Sequence, residues 1–375
     1  MKTNNVGFGN PILEEKKKPH QIDLNKLNIS FIGDGGVSDA VRLRLPAEKL
    51  MENDEISGSF TDLSKFREGE LGRIKWEQLW DAGDEVYEGT SMSVITRPVF
   101  PELVGGLRDK YGHFIVADVD DDFHSIPKSH VGYRAVGPGN QDFLERHRVS
   151  LRMADLVTTT TPELAARLSE DPIGVKADRV RIVPNGWGDN EWWGRTQQRD
   201  TVNIGWGGTI THRADFLLCL DALVEIAEKY KSVKIVIAAD PEIYRMLKAV
   251  REEQKMFLPM VRYEDYPHTL TYYDILIAPL EDTRFNNAKS DIKLVDAGAA
   301  RIPFVASDVP IYRSDLWREC GFLVRGKAQW FDALEELVLY PETRERMGEE
   351  CGNQAELRHM NKLSQDWLKV YKEAS

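Results

Sequence analysis

Cysteine is scarce. The three in 375 residues, Cys219, Cys320 and Cys351, are too scattered for a disulfide framework or a CxxC metal site, and they read as reduced thiols. No apolar run approaches the roughly 18 residues that a membrane helix needs, and the opening MKTNNVGFGN lacks the apolar stretch of a secretory signal. The expectation is a cytoplasmic protein with no stable membrane insertion. Positive charge is also in deficit, with 49 Lys+Arg against 61 Asp+Glu and a net charge of −12. Neither half of the chain is basic, which counts against a protein built around nucleic-acid phosphates. Internal sequence repeats and low-complexity segments are missing as well.

What is present is a chain long enough for two domains, in which short Val-, Ile- and Leu-rich runs alternate with segments of helical spacing. The strand candidates are 27–32, 92–96, 113–117, 155–159 and 180–183, then 202–206, 233–238, 257–261, 275–278, 303–306 and 321–324. The alternation predicts βα units with buried parallel sheets, hence α/β architecture. Pro184, Asn185, Gly186 and Gly188 mark a break between the two series. The expected layout is a polar tail over 1–26 that includes the solvated Lys16, Lys17 and Lys18, a Rossmann-like domain over 27–186 and a linker over 187–200. A second Rossmann-like domain follows over 201–355, then a C-terminal helix over 356–375. Two doubly wound domains joined in this way face each other across a cleft, and the carboxyl ends of their strands are the default ligand site.

Each series opens with a strand that runs into glycines. In the first, Gly33, Gly35 and Gly36 precede a helix expected over 39–51, but Ser38 stands where GxGxxG needs its third glycine. Arg42 and Arg44 follow and are candidates to reach a phosphate. In the second, Gly207 and Gly208 lead through Thr209 to His212 and Arg213. Glycines at such a junction let amides approach an anion, and the helix start adds positive potential. Farther on, Lys289, Lys293 and Asp296 are spaced i, i+4 and i+7, which places two cations and a carboxylate on one face of a helix.

The run KSDIKLVDAGAARIPFVAS, the loop IGWGGTITHRAD and the segments ADLVTTTTPELAARL and VRIVPNGW resemble the retaining glycosyltransferases of the GT-B fold, glycosyl transferases group 1, with its bacterial and phage members. The resemblance covers most of the chain from about residue 28. It implies that the second domain binds a nucleoside diphosphate sugar. Arg213 with Lys289 or Lys293 would then neutralise the diphosphate, Gly35 and Gly36 would touch it from the first domain, and Gly207, Gly208, Thr209, His212 and Ser290 would complete the donor site. In the family's E-x7-E pair the second acid holds the ribose hydroxyls; here that position is Asp296, and the first is Ala288. The co-substrate is the nucleotide sugar, and the resemblance implies neither a further cofactor nor a metal.

Asp120, Asp121 and Asp122 follow a strand, with His124 beyond. Asp120-x-Asp122 also fits an oxygen-ligand metal motif, but the two-domain layout favours an acceptor role, with Asp122 or His124 orienting the attacking hydroxyl. Trp187, Trp192 and Trp193 crowd the linker and suit packing at a hinge or stacking on a sugar. Arg146, His147, Arg148 and Arg152 read as one basic helix face, which could hold an anionic acceptor. The function expected is sugar transfer to a hydroxyl of a glycan, a lipid-linked glycan or a hydroxymethylated base of phage DNA. A sugar-nucleotide epimerase and a non-catalytic nucleotide-sugar-binding protein are the alternatives.

Overall fold

The computed structural model describes residues 26–67, 74–190, 193 and 199–373. The lysine run of the N-terminal tail, Trp192 and most of the second half of the expected linker lie outside them. Twelve strands form two six-stranded sheets. The first contains β1 (Leu27–Gly33), β2 (Ile56–Asp62), β3 (Met92–Thr96), β4 (Phe114–Val119), β5 (Leu156–Thr159) and β6 (Val180–Ile182), in the order β2-β1-β3-β4-β5-β6. The second contains β7 (Val202–Gly208), β8 (Val233–Ala239), β9 (Lys255–Pro259), β10 (Ile275–Ala278), β11 (Phe304–Ser307) and β12 (Gly321–Val324), in the order β12-β11-β10-β7-β8-β9. Every pairing is parallel. Each order reverses once, between β1 and β3 and between β7 and β10, and a doubly wound sheet opens a crevice at such a reversal.

Eleven strands arise where apolar runs stand in the sequence; the central ones, such as β3, β4, β5, β10 and β11, need such a run because they are buried on both faces. β2 escaped that reading. ISGSFTD is an edge strand with one buried residue, Ile56, so no run marks it. The other displaced edge, β9, lies two residues earlier than the expected 257–261, since its exposed outer side does not hold it in register.

The helix after β1 starts at Val37, not at 39, and passes through wider π-type turns over Ala40–Arg44 into Leu45–Glu52. Arg42 sits in those turns and is 1% exposed. Its Nε and Nη2 donate to the Asp118 carboxylate at 2.7–3.2 Å, and its Nη1 donates to the Val183 carbonyl at 2.6 Å and to Asn185 Oδ1 at 3.1 Å. The guanidinium lies 4.5 Å from the centre of the Trp367 ring. Arg42 is therefore not the phosphate ligand the sequence suggested, because five hydrogen bonds use its donors and the Trp367 ring covers its face. Arg44 stacks on Phe60 instead.

Trp367 belongs to the last helix, Met360–Lys372, which packs with Leu363, Leu368 and Tyr371 against Ile29, Phe31 and Val94 of the first sheet. The chain therefore ends on the domain where it began. Trp187 donates to the Ala355 carbonyl at 2.8 Å and meets His359 edge-on at 4.3 Å, while Trp193 donates to Gly188. Both described tryptophans of this region pack at the hinge.

Breaking the buried pair by Arg42→Leu leaves Asp118 uncompensated and is expected to cost about 3–5 kcal/mol. Urea unfolding measures this, and the double variant Arg42→Leu/Asp118→Leu should recover part of the loss. A single variant as stable as the parent would mean that the contact carries little.

Candidate active site

The β7/β10 reversal of the second sheet places three segments together: the end of β7, the loop after β10 and the start of the Arg213–Lys229 helix. β7 ends in Gly207-Gly208, and Thr209 opens a short turn in which its hydroxyl bonds that of Thr211 at 2.7 Å. His212 follows, its Nδ1 2.8 Å from Asp215 Oδ2. Asp215 is buried, and its other oxygen accepts from the Glu281 amide at 2.8 Å and the Asn286 side chain at 3.0 Å. The imidazole is thus oriented by a carboxylate that is itself held from two sides. Arg213, at the first turn of the helix, is exposed, and its side chain makes no hydrogen bond or ion pair among the described residues. Its cation stands where the helix already attracts anions.

A cavity of about 130 Å³ lies here, lined by Arg213, His212, Asp215 and Lys289 of the second domain and by His130 of the first. Burial lowers the His130 pKa, as do the neighbouring Lys289 and His212. The cleft is therefore rich in positive or donating groups despite the negative charge of the chain.

Lys289, Lys293 and Asp296 do not share a helix face. The helix begins only at Ile292, because a separate turn, Arg284–Asn287, ends at Ala288 and the next three residues serve the hinge. Ser290 accepts from the Asn185 side chain at 2.8 Å, and Asp291 accepts from Trp317 at 2.8 Å and Arg358 at 3.3 Å. Lys289 donates to Asp121 of the first domain at 2.7 Å. Ala288 is fully buried against the first domain's core, and its carbonyl accepts from Thr161 at 3.0 Å. An acid there would be desolvated between the domains, a physical reason for the alanine.

Lys293 donates to the Gly207 carbonyl at 2.6 Å and lies 5.7 Å from the Tyr266 ring centre. Burial depresses its pKa. Asp296 is 4% exposed. Burial pushes its carboxyl up to about 6, against the pull of Lys293. Tyr263, Tyr266 and Tyr273 surround it closely enough to have their own pKa values raised, by burial first and then by its charge.

The two glycine amides expected to meet the phosphate are already in use. Gly35, with φ +79°, donates to Asp39 Oδ2 at 2.6 Å, and Gly36 donates to Asp34 at 3.3 Å. Asp39 also accepts from Thr96, and its carboxyl occupies the space a Gly33 side chain would need. The loop cradles a carboxylate of its own, so the phosphate contact expected of Gly35 and Gly36 has no donor left for it. Gly35 lines a separate crevice beside Phe60 and Asp62.

The acidic run is divided among different tasks. Asp120 accepts from Arg97 at 2.7 and 3.0 Å and from Ser38 at 2.5 Å. Burial disfavours its charge, but Arg97 and Ser38 prevail and hold the carboxyl at about 2. Asp121 bridges Arg97 and Lys289. Asp122 is 3% exposed and neither carboxylate oxygen has a partner; His124 Nε2 has none either. Asp122 and His124 lie inside the first domain and line none of the cleft cavities described here. His147 lies tilted against His124, ring centres 5.9 Å apart, and is buried, so it leaves the basic face on which it was expected. Burial, His124 and Arg97 push its pKa down to about 3. Among the described residues no three His, Cys, Asp or Glu side chains converge as a metal site, and no helix is long and apolar enough to cross a membrane. Asp215, Asn286 and His130 are the cleft residues that sequence reasoning missed.

Two facing doubly wound domains with a C-terminal helix returning to the first define the GT-B fold, and comparison with solved structures agrees. The chain is similar to sucrose-phosphate synthase from Thermosynechococcus elongatus, at 16% identity and a TM-score of 0.66, over 93% of this chain and 99% of that one. It is similar to HepE from Anabaena in complex with UDP and glucose, at 13% identity and a TM-score of 0.64, over 92% and 99%. The lipopolysaccharide outer core galactosyltransferase WaaB is similar at 13% identity and a TM-score of 0.57, over 92% and 99%. At these identities the likeness is one of fold. Residues 201–339, most of the second domain, match the sequence profile of glycosyl transferases group 1. No curated protein matches the chain significantly.

The raised Asp296 carboxyl has a consequence for stability. Its folded pKa, about 6, lies above the ordinary aspartate value of 3.8, so between these values the folded chain holds more proton than the unfolded chain. Stability from this group is full below the lower value and is lost as pH rises through about 6, by on the order of 3 kcal/mol. Urea midpoints at pH 4 and pH 7 should diverge between the parent and Asp296→Asn, and parallel profiles would contradict the assignment.

Proposed function

We propose that the chain transfers a glycosyl unit from a UDP-sugar to an acceptor hydroxyl with retention at the anomeric carbon. The observation that carries this reading is Arg213, a cation without a partner among the described residues, at a helix start in the interdomain cleft beside Lys289 and the oriented His212. The group 1 match over the same domain supports it, as does UDP in the similar HepE.

In the proposed step the bond between the anomeric carbon and the diphosphate oxygen breaks, and both electrons leave with the nucleotide. The acceptor oxygen bonds that carbon from the same face, and its proton passes to the departing phosphate oxygen. Charge grows on the diphosphate, so the protein's contribution is electrostatic, from Arg213, the helix N-terminus and Lys289. Lys289 is held by Asp121 at 2.7 Å, and an arriving diphosphate competes with that carboxylate for it. Lys293 supports the Gly207 loop from below. Ionised Asp296 accepts from the ribose hydroxyls, so donor affinity should rise with pH through about 6. Closure over the reacting centre limits donor hydrolysis. The acceptor approaches from the first domain and is a glycan or lipid-linked glycan.

A thermal-shift panel of UDP-, GDP-, ADP- and TDP-sugars tests the donor, since a ligand of the native state raises stability as RT ln(1 + [L]/Kd). UDP-sugar should give the largest shift. Arg213→Ala, Lys293→Ala and Asp296→Ala should each remove most of it, while Lys369→Ala, on the outside of the last helix, leaves it intact. Arg213→Ala should also slow transfer by about 10²-fold. Equal shifts in all four variants would refute the site. Conversion of donor in the absence of any acceptor, followed by NMR, would point to epimerisation.

A further inference from the structure

A larger cavity, about 520 Å³, opens in the first domain at the carboxyl ends of β1 and β3. Four arginines line it, Arg67, Arg97, Arg134 and Arg146. Cations gathered round one hollow repel one another unless anions sit among them. Two are neutralised by the protein: Arg97 by Asp120 and Asp121, and Arg146 by Glu102 at 3.1 Å. The other two are not. The side chains of Arg134 and Arg67 have no hydrogen bond or ion pair among the described residues, and Arg67 Nε is buried without a partner. The acids on the wall, Asp34 and Asp142, bond neither of them.

Three of the four cations are also held in place, the exposed Arg134 being the exception. The guanidiniums of Arg67 and Arg146 lie 5.6 and 5.9 Å from the centre of the Phe100 ring, and Arg97 lies 5.8 Å from that of Phe123. Aromatic faces keep the forks inside the cavity and leave apolar surface between them for a ring. The cavity adjoins the donor cleft through one acid, since Asp121 touches Arg97 on this side and Lys289 on the other.

We infer that this cavity binds the acceptor and that the acceptor is a sugar bearing an anionic group, phosphate or carboxylate, held by Arg67 and Arg134. The inference rests on the glycosyl-transfer reading for the word acceptor, while the anion site stands on the cavity alone. The aromatic wall takes the sugar ring, and the fork of each arginine takes two oxygens of the anion. Neutral sugars offer only hydroxyl acceptors, which leave the charges of Arg67 and Arg134 unbalanced, and bind poorly.

Isothermal titration of the UDP-bound protein with glucose 6-phosphate, glucuronate, inorganic phosphate and glucose tests the site. At least one anionic probe should bind, more weakly in 0.5 M salt, and glucose should not. Arg134→Glu and Arg67→Ala should each weaken that probe at least about tenfold, with UDP affinity unchanged as proof of a folded protein and an intact donor site. Binding of glucose 6-phosphate alone identifies a phosphate ligand, and binding of glucuronate alone a carboxylate. Equal binding of glucose and the charged probes, no binding of any probe, or full affinity in both variants would overturn the inference. If UDP fails to bind the parent while the arginine-dependent anion titration persists, the transfer reading falls and the anion site survives.

Discussion

The structure turns on a guanidinium that no water reaches. Arg42 is enclosed by Asp118 at the end of β4, by the Val183 carbonyl and Asn185 at the exit from the first domain, and by Trp367 of the returning helix. A cation in that position is tolerable only because its donors meet acceptors and an aromatic face covers it. Asn185 thereby becomes a fixed point. It accepts from Arg42 on one side and donates to Ser290 on the other, so the same contact that closes the first domain sets where the second begins to line the cleft.

From that joint outward, a chain of net negative charge sorts its cations into those with partners and those without. Arg97 and Lys289 are bound into the Asp120–Asp121 pair, Arg146 into Glu102, and Lys293 into a carbonyl under the second glycine loop. Arg213 stands in the donor cleft without a partner among the described residues, and Arg67 and Arg134 stand so in the first domain. Unpaired cations in concave places mark where a ligand's charge completes the balance, and these two places are joined through Asp121. That geometry suits a reaction in which one partner brings a diphosphate and the other an anionic sugar.

The fold was largely legible in the sequence because a central parallel strand must be apolar on both faces, and the apolar runs of the core strands stand out. The polar edge β2 was not, since the Ser, Gly, Thr and Asp of ISGSFTD leave no apolar run. The glycine turn at Gly207-Gly208 and the cationic helix start were visible for the same local reason. Gly33, Gly35 and Gly36 looked equivalent and are not: a carboxylate four residues on, Asp39, fills the first loop. The spacing of Lys289, Lys293 and Asp296 suggested one helix face, but Ser290 and Asp291 are drawn into hinge contacts and delay the helix to Ile292.

By itself the sequence determined two doubly wound sheets and the two glycine-ended strands, all of which depend on neighbours along the chain. Tertiary structure alone decided which charged groups meet. Arg42 and Asp118 are 76 residues apart, Lys289 and Asp121 are 168 apart, and the cavity arginines come from separate elements of the first domain. Charge in the interior is governed by what stands within a few ångströms, and no local pattern records a partner brought there by the folding of distant segments.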